Sequence, residues 1–112
     1  MEELFALLNE IGLPYFRQGS LSDPGDYPPS FFTYWNIDTP SLRFRDNNEK
    51  EYAEIISICF YTNDPALVYT QMNDFISRAK DAGFITGRAN DTSADRSDYY
   101  GRFVRIQKIK TL

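Results

Sequence analysis

Two groups of side chains in this 112-residue sequence could do chemistry. One is the single thiol, Cys59, and the other is a set of three carboxylates in one polar segment, Asp91, Asp95 and Asp98. A thiol becomes a catalytic nucleophile when a neighbouring cation lowers its pKa, and clustered carboxylates can hold a divalent cation. The sequence contains no histidine, which excludes Ser-His and Cys-His pairs and the commonest zinc ligand.

Neither group has the setting that its chemistry requires. Cys59 lies within a hydrophobic segment, which predicts a buried core thiol. The three aspartates lack the central glycine and terminal glutamate of a calcium-binding loop, so a solvated polar loop is the expected structure. No glycine-rich phosphate loop is present, and no pair of carboxylates stands in an apolar setting. We therefore expect no catalytic, cofactor-binding or metal-binding residues and a chain that is not an enzyme.

Net charge and hydropathy disfavour two classes of partner, nucleic acids and membranes. The net charge is −4, which disfavours bulk binding to nucleic acid. The stretch YYGRFVRI at 99–106 partly resembles an aromatic RNA-binding strand, but it lacks the glycine and two of the aromatics of that motif, so no sequence-specific nucleic-acid partner is expected. A single cysteine excludes an intramolecular disulfide framework and favours a reducing compartment. No apolar run is long enough for a membrane span, so no membrane partner is expected either.

The high aromatic content and the uneven placement of charge can each be explained in two ways, by contacts within the fold or by contacts between proteins. Phe, Tyr and Trp make up 16% of the chain, and such residues fill cores or build protein interfaces. Residues 1–77 sum to −8 and residues 78–112 to +4. This asymmetry permits head-to-tail association between copies, in which one surface meets a different surface on the neighbour. The alternative is that the two parts interleave in the fold and cancel locally.

Periodicity predicts the elements that must position these residues. Helices are expected at 2–11 and 65–82, the second with Asp64 as N-cap and Pro65 as its first residue. Strands are expected at 31–37, 41–45, 51–61, 84–87 and 99–109, and polar loops at 17–30 and 88–98. The order αβββαββ indicates one α+β domain, 1–112, with a mostly antiparallel sheet and both helices packed on one face. The strand at 51–61 is apolar on both sides, so a helix or another subunit is expected on its second face.

Several of these segments carry a family resemblance. They are PPSFFTYW (28–35), RFRDNNEKEY (43–52), IISICFYTNDPAL (55–67) and DYYGRFVRIQKI (98–109), with Tyr61, Thr62, Asp64 and Pro65 at a Y-T-x-D-P strand-to-helix junction. In this arrangement the chain resembles the tail-completion, or tail-terminator, proteins of siphophages and prophages. The resemblance covers nearly the whole chain, and its motifs are structural rather than catalytic.

The resemblance implies a structural role in the virion. Such proteins form a ring of copies, commonly six, on the finished tail tube, where they stop tube polymerisation and provide the surface that joins the head. The implied partners are further copies of the chain, the tail tube protein and a head-completion or connector protein. The implied location is the tail and neck of the virion, after assembly in the host cytoplasm.

A ring requires a closing head-to-tail contact, for which the charges suggest residues. We expect an acidic group to meet a basic group across the contact, with two tyrosines at its rim. The acidic residues are Asp46, Glu49 and Glu51, the basic ones are Arg102, Arg105 and Lys108, and the tyrosines are Tyr99 and Tyr100. Two other functions stay open at this point: another neck protein, such as a head-closure or connector subunit, and a monomeric α+β binding module with no role in a virion.

Overall fold

Two helices form where the apolar spacing predicts them. The computed structural model describes residues 2–18, 27–38, 41–45, 48–94 and 98–111, and of residues 38, 41–45, 48–51 and 111 only the backbone. Helix α1 spans Glu2–Ile11 and helix α2 spans Pro65–Asp81. The carboxylate of Asp64 accepts a hydrogen bond of 3.0 Å from the Ala66 amide at the start of α2. The helix ends at Asp81, and Gly83, two residues further on, has a φ of +93°, which favours glycine.

Seven strands of the described residues form one sheet. They are β1 (Tyr15–Arg17), β2 (Ser30–Asp38), β3 (Ser41–Arg45), β4 (Asn48–Thr62), β5 (Ile85–Thr86), β6 (Asn90–Thr92) and β7 (Tyr100–Thr111). The order is β1-β2-β4-β7-β5, with β3 also on β4 and β6 also on β7. Every pairing is antiparallel except that of β1 with β2. The expected α+β class, mostly antiparallel sheet and central position of β4 are therefore confirmed.

Two of the strands are not predicted by the sequence pattern. The expectation of a loop throughout 88–98 is wrong at 90–92, because β6 pairs with β7 although its side chains, Asn90, Asp91 and Thr92, show no apolar alternation. Its backbone bonds to β7 and the ion pair between Asp91 and Arg102 take the place of hydrophobic burial. Strand β1 has only three residues, too few for a periodic signal. Residues 19–26 and 95–97 of the expected loops lie outside the described residues.

One apolar core lies between the two helices and one face of the sheet. The buried Phe75 of α2 packs against Phe32 of β2, with their ring centroids 5.5 Å apart, and Phe32 lies 4.9 Å from Phe60 of β4. The remaining core residues come from both helices, the β4 and β7 strands and the segment after α2: Leu4, Leu7, Leu8, Ile56, Ile58, Met72, Ala79, Phe84, Val104 and Ile106. Both helices thus cover the same face of the sheet, as expected.

Ion pairs between distant parts of the chain hold α1 in place. The Lys110 ammonium lies 2.9 Å from the Glu3 carboxylate and 3.6 Å from the carboxylate of Glu54 on β4. Arg78 of α2 pairs with Glu10 of α1 at 2.9 Å. In each case a basic residue of the chain's second part meets an acidic residue of its first. The charge asymmetry along the sequence is therefore partly cancelled inside the fold, because the acidic and basic parts of the chain interleave.

Shortening Phe75 tests the core. We expect Phe75→Ala to lower the free energy of unfolding by about 3–5 kcal/mol, because it removes the ring that touches Phe32 and leaves a cavity under α2. Urea unfolding followed by circular dichroism measures the change. Phe75→Leu, which keeps most of the apolar volume, should lose much less. Equal losses in the two variants would contradict this account of the core.

The pH dependence of stability tests the contact between Glu3 and Lys110. The hydrogen bond from Lys110 lowers the pKa of Glu3 from 4.5 to about 2. A lowered carboxyl pKa contributes stability above pH 4.5, and that contribution is lost as the pH falls from 4.5 towards 2. We expect Glu3→Gln to flatten the urea midpoint over this window and to cost less than about 1 kcal/mol at neutral pH, since both partners are partly exposed.

Glu2→Gln is the matched control for this measurement, because Glu2 is exposed and adjacent. It should leave the acid limb of the profile as in the wild type. A Glu3→Gln profile that runs parallel to the wild type throughout would show that the contact with Lys110 does not stabilise the fold.

Candidate interaction surface

The face of the sheet opposite the helices carries the alternate residues of β2, β4 and β7. The pairing brings Thr33, Cys59 and Phe103 into one row across the three strands and Trp35, Ser57 and Arg105 into the next. Because side chains of a strand alternate between faces, these rows point away from the core under α1 and α2. The two halves of this face differ in how they are covered.

An aromatic cluster closes the half near the start of β2. Phe31 is buried, and its ring lies between 5.5 and 6.1 Å from four other rings, those of Phe16, Tyr27, Tyr61 and Tyr99. The Tyr99 hydroxyl donates a hydrogen bond of 2.7 Å to the Pro28 carbonyl. Gly101 leaves room for the Tyr61 ring, since a Cβ at position 101 would come within 2.8 Å of it. This half is therefore covered by the chain's own side chains.

The other half leaves large apolar side chains exposed. Trp35 is 44%, Ile85 54% and Ile109 50% exposed. Ile55 and Gln107, which are paired across β4 and β7, lie among them and are half-buried. We call this surface the open patch; its members are Trp35, Ile55, Ile85, Arg105, Gln107 and Ile109. Among these members the Arg105 guanidinium is the only charge, and the exposed Arg17 guanidinium lies 5.3 Å from the centroid of the Trp35 ring, so the patch has one cation within it and a second at its edge.

The three basic residues that the sequence places at a contact between copies do not share one face. Arg105 lies exposed in the open patch. Arg102 and Lys108 lie on the helix side of β7, since they alternate with Arg105 along the strand.

Both of these residues contact their own chain. Arg102 donates to the Asp91 carboxylate at 2.8 Å and to the Ala89 carbonyl at 3.2 Å, and its guanidinium lies 4.9 Å from the centroid of the Tyr69 ring. The Lys108 ammonium donates to the Ala82 carbonyl at 3.0 Å, at the end of α2. Arg102 and Lys108 therefore hold the fold together, whereas Arg105 faces outward.

The other expected contact residues are only partly described. Asp46 lies outside the described residues, as do the side chains of Glu49 and Glu51. Tyr99 is half-buried in the aromatic cluster. Tyr100 is exposed, on the helix side of β7, where it lines a cleft. The assignment of these residues to a contact between copies stays a prediction.

The cleft lined by Tyr100 is a second surface of the protein and lies where α2 begins. The cleft has a volume of about 210 Å³ and is lined by residues of α2, of the segment around β6 and of the start of β7, among them Tyr69, Asp91, Ser93 and Tyr100. The Tyr69 hydroxyl donates to the Asp91 carboxylate at 3.3 Å, and that carboxylate also accepts from Arg102. Asp91 nevertheless keeps 66% of its side chain exposed. We call this surface the α2-start cleft.

A larger groove, of about 420 Å³, runs between α1 and α2. Charged side chains of both helices and of β7 line it, including Glu10, Arg78 and Lys108. These three bond within the chain, Arg78 to Glu10 and Lys108 to the Ala82 carbonyl. The groove is therefore lined with charges that the fold itself uses.

The described residues offer little reactive chemistry. Cys59 is buried, as predicted, and burial raises the pKa of its thiol, which favours the neutral, unreactive form. Across the described ranges no three Asp, Glu or Cys side chains come together as metal ligands, and no helix is long and apolar enough to span a membrane. Asp91 contacts Arg102 and Tyr69, Asp98 is exposed, and Asp95 lies outside the described residues.

Comparison with known proteins does not assign the chain to a family. A scan against protein-family models finds no match, and a search of curated proteins finds none.

The open patch includes residues that sequence reasoning does not single out. Trp35, Ile85 and Ile109 each belong to a predicted strand, and the alternation of that strand is the signal that could have placed them. The pattern does not show which of two apolar faces the helices cover. The sequence therefore indicates an apolar second face but not its exposure.

Substitution of the two arginines separates folding from contact. Arg102→Met should lower the free energy of unfolding by about 1–3 kcal/mol, because it removes a charged hydrogen bond and a cation–π contact. Arg105→Met, on the exposed face of the same strand, should change it by less than about 0.5 kcal/mol. Urea unfolding of both variants measures the difference. A larger loss in Arg105→Met than in Arg102→Met would reverse the roles assigned to the two residues.

Proposed function

We propose that this protein is a phage tail terminator, a structural virion protein whose copies form a ring on the end of the tail tube. The observation that carries the proposal is the open patch. It presents Trp35, Ile85 and Ile109 on the side of the sheet away from both helices. Large apolar side chains exposed together on one sheet face of a small domain, with polar side chains between them, are typical of a protein–protein contact. The open patch supports association with other proteins, and the sequence resemblance supports a role at the phage tail.

The arrangement of the chain supports this proposal in two further ways. The α+β order, with a long central β4 and the N-capped helix directly after it, places the Y-T-x-D-P junction at the end of the strand. Within the open patch and the α2-start cleft, the described side chains offer apolar area, hydroxyls and charges. Such groups suit recognition between proteins. The proposal accordingly assigns no bond-making or bond-breaking step to the chain.

Termination by a ring has a simple physical basis. A tube grows because each added layer presents the surface on which the next layer binds. A ring that binds the last layer but presents a different outer surface removes that site, so growth stops. The new outer surface then binds the head-completion or connector protein. Under this proposal the protein acts by shape and contact, with further copies of itself and the tail tube protein as partners in the tail and neck.

Loss of the protein from a phage tests the proposal. Electron microscopy of lysates of a phage or prophage deleted for its gene should show abnormally long tails without heads, because nothing stops the growth of the tube. Supplying the intact gene from a plasmid should restore tails of uniform length joined to heads. This complementation is the control for effects of the deletion on neighbouring genes.

Other outcomes of this experiment favour other functions. Tails of normal length beside separate, finished heads would favour a head-closure or connector subunit. Normal virions with heads joined to tails would overturn a role in the virion and would favour a monomeric binding module instead. Turnover of a small molecule by the purified protein would contradict the non-enzymatic part of the proposal.

A further inference from the structure

We propose that the contact between neighbouring copies joins the open patch of one copy to the α2-start cleft of the next. The occupant of the open patch is thus a second copy of this chain. The inference rests on the proposed function in one respect, namely that the protein assembles with itself. It goes further by naming the two surfaces, which the charges in the sequence alone do not identify.

The exposed apolar side chains gather at two places. Seven large hydrophobic side chains of the described residues are strongly exposed. Trp35, Ile85 and Ile109 belong to the open patch, and Ile37 follows Trp35 at a β-bulge of β2. The other three, Leu67, Tyr69 and Tyr100, lie at the start of α2 and the start of β7. The described residues therefore present exposed apolar side chains on both sides of the sheet.

The two surfaces lie far apart and on opposite sides of the sheet. Tyr100 and Ile109 belong to the same strand, nine positions apart, which corresponds to about 30 Å at the rise of a β-strand. An odd number of positions also places them on opposite faces. In a contact between the open patch of one copy and the α2-start cleft of the next, the first copy still has its cleft available and the second still has its open patch. Each can therefore bind a further copy. Repetition of that contact gives a closed ring if the rotation between copies is suitable.

The charges favour this match over the pairing of two open patches. Two open patches in contact would bring Arg105 of each copy, and Arg17 on Trp35 of each copy, into one interface in which the patch itself has no described acidic side chain. The α2-start cleft instead has Asp91 among its lining residues, and the Asp91 side chain stays 66% exposed although Arg102 and Tyr69 of the same chain contact its carboxylate. Arg105 of one copy can therefore approach the Asp91 carboxylate of the next, whereas like charges in a contact are costly.

The residue types of the two surfaces suit a contact between proteins. The α2-start cleft has Tyr69 and Tyr100 among its lining residues, and the open patch presents Trp35 and Arg105 on the sheet face. Aromatic residues and arginine are the types enriched in the buried centre of protein contacts. Tyr100 and Arg105, both expected at the contact from the sequence, retain that role in this arrangement. Arg102 and Lys108 take no direct part in it.

Cross-linking of single-cysteine variants tests which surfaces meet. In a Cys59→Ala background, Ser57→Cys marks the open patch, where Ser57 lies between Trp35 and Arg105. Ser93→Cys marks the α2-start cleft, which Ser93 lines. The two proteins are mixed, concentrated together and treated with a short bismaleimide. We expect cross-linked pairs that contain one copy of each variant, and only traces when either variant is treated alone.

Each other result overturns the inference. Cross-linking of Ser57→Cys with itself would show that open patches pair with each other. The absence of cross-links in the mixture, in solution and on isolated tail tubes alike, would show that these surfaces do not meet. Circular dichroism and urea unfolding of both variants first establish that they fold as the background protein does.

A charge reversal adds a second readout. Arg105→Glu should weaken association of the intact protein about tenfold, measured by sedimentation, because it places a carboxylate opposite Asp91. Lys80→Glu is the matched control: it makes the same change of charge at an exposed position in the last turn of α2. Equal association of Arg105→Glu and Lys80→Glu would contradict the role of Arg105.

The two proposals fail in different ways. If the mixed cross-links form and a phage without the protein makes normal tails, the contact stands and the tail-terminator function falls. If tails are long and headless but Ser57→Cys cross-links with itself, the function stands and the contact assigned above is wrong.

Discussion

Two helices can cover only one side of this sheet, and that constraint determines the rest of the structure. The packed rings of Phe32, Phe60 and Phe75 hold α2 on one face, and α1 joins the same core through its leucines. The opposite face is left without a helix over it. The aromatic cluster around Phe31 covers half of it. The remaining half is where the proposed contact with another copy lies.

Most of the fold could be predicted because its main elements carry strong local signals. Helix α2 has an N-cap, a proline in its first turn and a regular apolar stripe, so its position follows from the sequence alone. Strands β4 and β7 are long and rich in β-branched and aromatic residues. Strands β1 and β6 escape prediction because they are held by pairing with a neighbour that is distant in sequence rather than by their own pattern. Pairing of that kind has no local signature.

The site is less predictable than the fold, because sequence charge does not show which charges the fold uses internally. Arg102, Arg105 and Lys108 look alike in the sequence, yet only Arg105 lies in the open patch, while the other two bind Asp91 and the end of α2. The alternation of β7 could separate Arg105 from its neighbours. It could not show that Arg102 is held by Asp91 and Tyr69, because that depends on the pairing of β6 with β7.

One strand, β7, contributes to both surfaces. It supplies Tyr100 to the α2-start cleft and both Arg105 and Ile109 to the open patch. Its pairing with β4 continues without a break through twelve residue pairs, from Thr62 with Tyr100 to Glu51 with Thr111. The twist of this one ladder, rather than a loop, therefore sets the angle between the two surfaces.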